Sequence, residues 1–193
     1  SFLSEYGSVT GLDVSPVALE YCQLRNLKSL ICASVCSTPF ASQSYDLVTS
    51  FDVLYANSIP DVPDAIREFE RILAPGGFLV LRLPAYNWLR GRHDTAVDTA
   101  RRFTTKNISE LLVKGGFSIC HRSYANAILF PLVLVKRIIE NWFPTKKTTS
   151  DFFVPNRVVN RVFGALLSAE ASLVSRFGLP FGLSVAVIAR KPL

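Results

Sequence analysis

Asp13 ends a short apolar stretch, residues 9–12, and is followed by Ser15-Pro16 and a helical pattern in "VTGLDVSPVALEYC". In open α/β sheets ligands sit beyond the carboxyl ends of strands, where a carboxylate can accept both hydroxyls of a ribose. Asp13 is therefore a candidate nucleotide-ribose ligand. The alternative is an acid favoured by the dipole of the helix that follows. A second group runs from Tyr86 and Trp88 to the adjacent pair His93-Asp94, after an apolar run at 78–84. A His beside a carboxylate suits proton transfer, and the plain alternative is a capped turn. Arg101 and Arg102 can grip a phosphate or carboxylate bidentately, or simply solvate the start of a helix. His121 stands in a strand pattern and reads as structural or exposed. The cysteines at 22, 32, 36 and 120 form no CxxC pair and read as reduced, mostly core thiols, so no metal centre is expected.

The elements that position these residues alternate. Strands are expected at 9–12, 29–34, 45–50, 78–84, 117–124 and 183–190. Pro16 suits the first turn of a helix over 17–25, where a missing N–H costs nothing. "DVPDAIREFERILAPGG" is amphipathic, with Ile66, Phe69, Ile72 and Leu73 on one face and a stop at Pro75-Gly76-Gly77. Thr104 or Thr105 caps a helix running to about Lys114. This rhythm predicts an α/β fold: a mostly parallel sheet with helices on both faces. Residues 125–180 break it as a helical insertion before the last strand, with helices around 128–143 and 157–177. Neither helix has the apolar run of about 20 residues that a membrane span needs.

At 193 residues, with 49% hydrophobic and 19% charged side chains, the chain suits one domain, residues 1–193, with its own core. Its net charge of +6 is uneven, −5 over residues 1–75 and +11 over 76–193. A basic second half suits an acidic ligand or an anionic membrane surface. No RNP, zinc-finger or helix-turn-helix signature accompanies the charge, so nucleic acid is not an expected partner. Residues 1–6 lack a basic start and an apolar run, so no signal peptide is read there. The expected location is cytoplasmic, with peripheral membrane contact through 125–180 open. An ordinary helical cap on the sheet edge is the alternative for that segment.

"VTGLDVSPVALEYC", "TPFASQSYDLVTSFDVL", "REFERILAPGGFLVLRLPAY" and "ISELLVKGGF" together resemble class I S-adenosylmethionine-dependent methyltransferases of the type 11 group, in order and spacing. "PAYNWLRGRHD…RRFT" is similar to a subgroup of them. The resemblance implies a Rossmann-like, doubly wound fold and S-adenosylmethionine as cofactor. Asp13 then matches the acid on the cofactor's ribose, with Val14 beside the adenine. Ser34 stands where many relatives have an Asp that bonds the adenine amino group, and Val35 would offer its backbone N–H to the ring. Ser50 and Phe51 match positions at the methionine moiety. Tyr55-Ala56 replaces a common Glu-His pair, and Thr99 stands where relatives often have His.

The family's glycine-rich loop, some 20 residues upstream of this acid, is not matched. Twelve residues precede Asp13, no GxGxG occurs and the chain has no Met. The sequence is therefore expected to be part of a longer protein. The absent strand would lie between those at 9–12 and 45–50 and leave two inner edges unpaired.

The resemblance implies methyl transfer to a small-molecule acceptor, hydrophobic or lipid-like given the insertion. His93 is the first choice for a base or acceptor-orienting residue, with Asp94 fixing it. Tyr86, Trp88, Arg101 and Arg102 are the expected substrate contacts. A nicotinamide-dependent oxidoreductase would show GxGxxG and a Tyr-x-x-x-Lys set, and the chain has neither. A non-catalytic binding or scaffold protein on the same fold is the remaining alternative. Oligomeric state is not legible.

Overall fold

The computed structural model of the protein describes residues 2–90, 99–142 and 157–193. Ser15 opens the first helix as the sequence implies. Its Oγ accepts the Ala18 N–H at 3.3 Å, and Pro16 takes the first helical position. In chain order the elements are β1 (Gly11–Asp13), α1 (Pro16–Gln23), β2 (Leu30–Cys32), β3 (Tyr45–Phe51), α2 (Val62–Ile72) and β4 (Leu73–Pro84). They continue with α3 (Thr105–Lys114), β5 (Ser118–Ala125), α4 (Phe130–Trp142), α5 (Arg157–Phe177) and β6 (Ser184–Arg190). Thr104 and Asn107 cap α3 reciprocally, at 3.2 Å and 2.8 Å.

Among the described residues the strands fall into two sheets. β1 pairs with β2 in parallel, Asp13 opposite Cys32. The larger sheet has the order β3-β4-β6-β5. β3 runs parallel to β4, while β6 is antiparallel to both β4 and β5, so β3, β4 and β5 point one way. The sheet is mostly, not purely, parallel, and β6 is its reversed strand.

The core lies on one face of that sheet. Leu79, Leu81 and Leu83 of β4 and Val185, Val187 and Ala189 of β6 alternate inward onto Ala65, Ile66 and Phe69 of α2 and onto Ile108 and Leu112 of α3. Each of the Leu, Ile, Val and Phe side chains among them contributes roughly 1.5–3 kcal/mol by leaving water. α2 meets α3 closely at Gly115, where a Cβ would lie 2.4 Å from Ile66 Cγ2, so no larger residue fits without a shift. On the opposite face His121 Nε2 bonds the Val174 carbonyl at 2.8 Å and holds α5 against β5.

Two long-range links fix α2. Arg71 reaches the Phe40 carbonyl at 2.9 Å and Ser42 Oγ at 3.1 Å, while its Nε meets Glu68 at 2.8 Å. Glu68 Oε1 in turn accepts the Thr38 N–H and hydroxyl, each at 2.7 Å. These bonds staple the β2–β3 connection to the helix. Arg71 and Thr38 hold the Glu68 carboxyl at about 2, well below its ordinary value. At the other end, the buried Lys191 Nζ donates to the carbonyls of Glu70 and Leu73 at 2.7 and 3.0 Å, groups that a helix end leaves unsatisfied.

Candidate functional site

A cleft of about 740 Å³ separates β1 from β3. Leu12 and Asp13 line one side and Tyr45–Phe51 the other, with Val35, Phe69 and Ile72 among the rest of the lining. β1 places Asp13 at its carboxyl end, where Oδ1 accepts the Ser15 N–H at 2.8 Å. That turn orients the exposed carboxylate and leaves Oδ2 without a partner among the described residues. Across the cleft Ser50 is 4% exposed, and its Oγ has no hydrogen-bond partner among the described residues. A buried hydroxyl without a partner is costly unless something else satisfies it. Phe51 follows it, half exposed, with the Arg82 guanidinium 5.6 Å above the ring.

Asp13, Val35, Ser50 and Phe51 thus line one cleft. Val14 and Ser34 lie outside its lining. Val14 is exposed and its carbonyl faces Cys32 Sγ. The Ser34 Oγ accepts the Cys36 N–H at 3.2 Å, closing a local turn.

The carboxyl end of β4 carries a second group. Tyr86 stacks on the buried Tyr124, with centroids 4.9 Å apart, and contacts Trp88 at 5.4 Å. Phe130 stands edge-on to Trp88 at 6.0 Å and meets Phe181 at 5.5 Å. Burial, reinforced by Tyr124, pushes the Tyr86 hydroxyl above the ordinary phenol value, so the group stays protonated. Behind the cluster, Gly182 passes so close to Ala125 that a Cβ would lie 2.2 Å from its carbonyl oxygen. Only glycine admits that crossing.

Residues 99–103 border this end of the sheet. Ala56 bridges Thr99, Ala85 bridges Phe103, and the Tyr86 N–H bonds the Phe103 carbonyl at 2.9 Å. Arg101 Nη2 donates to the Ile59 carbonyl at 2.8 Å and Arg102 Nη1 to the Ala85 carbonyl at 2.9 Å. Both arginines therefore act as backbone latches in this structure. The expected base His93 and its partner Asp94 lie outside the described residues.

Two features escape the sequence pattern. Asp52, at a φ of 55°, forms an ion pair with Arg82 and locks the turn after Phe51. The signal was a lone arginine in the apolar run "FLVLRLP". Tyr124, Phe130 and Phe181 join Tyr86 and Trp88 only through the fold, and no local spacing announces them.

Residues 1–81 match the methyltransferase domain family. No curated protein sequence matches the chain. Among solved structures, the fold is similar to an S-adenosylmethionine-dependent methyltransferase from Methanosarcina mazei. That alignment has a TM-score of 0.60 and 19% identity, over 100% of this chain and 85% of the other. A Mesorhizobium loti S-adenosylmethionine-dependent methyltransferase gives 0.60 and 16%, over 98% and 84%. Phosphoethanolamine N-methyltransferase 2 of Haemonchus contortus, solved with S-adenosyl-L-methionine, gives 0.58 and 20%, over 99% and 45%.

Proposed function

We infer, for a chain whose residues 1–81 match the type 11 methyltransferase domain family and whose fold is similar to that of S-adenosylmethionine-dependent methyltransferases, that it moves a methyl group from S-adenosylmethionine to a small hydrophobic or lipid-like acceptor. The observation that carries the reading is the pairing across one cleft of an oriented, half-satisfied carboxylate at Asp13 with the orphaned hydroxyl of Ser50.

These residues fit the cofactor. Asp13 would accept the ribose hydroxyls on Oδ2, Val35 would present its backbone to the adenine, and Ser50 would gain a partner for its buried Oγ. When bound, S-adenosylmethionine supplies an activated methyl group on a sulfonium. The protein's share of the work is then alignment and exclusion of water. Tyr86, Trp88 and Phe130 offer an apolar bed for the acceptor beside the end of β4. Tyr86, held protonated, can donate a hydrogen bond but does not serve as the base. That role falls to His93, with Asp94 orienting it, where the acceptor must lose a proton.

Calorimetric titration of S-adenosylmethionine into the protein and into Asp13→Ala tests the reading. Losing hydrogen bonds to a charged group costs about 1–3 kcal/mol, so the variant should bind roughly 5- to 150-fold more weakly. Failure of the parent protein to bind would sink the cofactor assignment, and equal affinity would remove Asp13 from the site.

A further inference from the structure

We propose that α4 and the outer stripe of α5 form a docking surface for an anionic lipid bilayer. Leu132, Val135 and Ile138 follow one another along α4 and are 63%, 53% and 49% exposed. On α5, Leu173 and Phe177 are 50% and 80% exposed, one turn apart. A helix normally turns such a stripe toward a core, and here both stripes face solvent. They are anchored to the body of the protein. Glu170, 4% exposed on α5, accepts the N–H groups of Ala127 and Ile128 at 3.1 and 2.9 Å, and so fixes the turn that launches α4.

Charge selects the occupant. Residues 125–180 contain seven Lys and Arg against three Asp and Glu, and Glu170 is among the three. Exposed apolar side chains on helices with excess positive charge match the boundary of an anionic bilayer, which attracts both features. A second copy of the chain would bring like charges together. No described helix is long and apolar enough to cross a membrane, so the contact is with its surface. Phe130 belongs both to α4 and to the aromatic cluster, which makes the surface continuous with the acceptor bed. That last link, an acceptor taken from the bilayer, rests on the methyltransferase reading, whereas the docking does not.

The test is cosedimentation of the full chain with phosphatidylcholine vesicles, with and without phosphatidylglycerol, beside Leu132→Glu/Val135→Glu and, separately, Phe177→Glu. The protein should sediment with the anionic vesicles, less so as salt rises, and each variant should partition about tenfold less. In a Trp142→Phe background the remaining Trp88 should shift its emission to the blue on binding. S-adenosylmethionine titration of the same variants should match the parent, which shows them folded and separates failure of docking from failure of the cofactor reading. No sedimentation with anionic vesicles would overturn the proposal, as would unchanged sedimentation of the variants. A parent dimer that the glutamates dissolve would assign the surface to self-association instead.

Discussion

Tyr86 and Tyr124 stack with their ring planes 16° from parallel, and Tyr86 holds a φ of 54° to present its ring there. A left-handed backbone at a bulky residue costs on the order of 1–3 kcal/mol. The ring contact and the Tyr86 N–H bond to Phe103 offset that cost. Tyr86→Ala keeps the strain and loses the stack, so thermal unfolding should report about 1–3 kcal/mol less stability. Methyl transfer should slow while S-adenosylmethionine affinity changes little. A loss of cofactor affinity instead would place Tyr86 in the wrong pocket. The raised hydroxyl also predicts alkaline behaviour. Its stabilising share is complete below the ordinary phenol value of 10.0 and is lost as pH rises beyond it, because the unfolded chain ionises first. Tyr86→Phe should remove that part of the alkaline slope.

Ser50 offers a sharper separation of stability from binding. Its Oγ is buried without a partner, so Ser50→Ala should leave the melting temperature of the ligand-free protein unchanged or raise it. The same variant should bind S-adenosylmethionine more weakly by calorimetry. A clear drop in ligand-free stability would show that the hydroxyl already has a use in the fold.

Glu68 sets an acid limit. Its carboxyl is held at about 2, against an ordinary 4.5, chiefly by Arg71. The pair therefore adds stability at and above pH 4.5, and that share disappears as pH falls toward 2. Glu68→Gln should flatten the stability profile across this window in denaturant titrations at several pH values. An unchanged slope would mean that the Thr38 staple does not depend on charge.

Lys191 ties the end of the chain to α2 through two backbone carbonyls and the Glu70 carboxylate, the last at 3.0 Å. Lys191→Met keeps most of the buried stem but leaves those carbonyls unsatisfied, a loss of about 1–3 kcal/mol in chemical denaturation. No change would imply that water reaches both carbonyls.

Much of this architecture is legible in the residues themselves. The face of Ile66, Phe69 and Ile72, the Ser15 and Thr104 caps and the alternation through Leu79, Leu81 and Leu83 all encode local structure, and each element forms where that pattern stands. Boundaries shift where pairing decides. β4 begins at Leu73, well before the expected residue 78, because Leu73 pairs with Tyr45 before the chain bulges through Gly76 and Gly77. Asp13 is readable as a candidate ligand from its place at a strand end. The orphaned state of Ser50 is not, since it depends on what fails to approach it. Arg101 and Arg102 look like anion ligands in the sequence, yet their carbonyl partners come from Ile59 and Ala85, which spacing does not reveal. The aromatic cluster is hidden for the same reason, being assembled from β5, α4 and two separate connections.

The gap between β1 and β3 makes the protein's cooperativity conditional. Among the described residues β1 and β2 share no backbone ladder with the larger sheet, and the Arg71 staple is attached to the loop that follows β2. Local opening of the smaller pair therefore carries less free energy than loss of the β4–β6 core. A ligand that engaged Asp13 on one bank and Ser50 on the other would bind only while both sheets hold their places. By mass action it would weld two folding units into one.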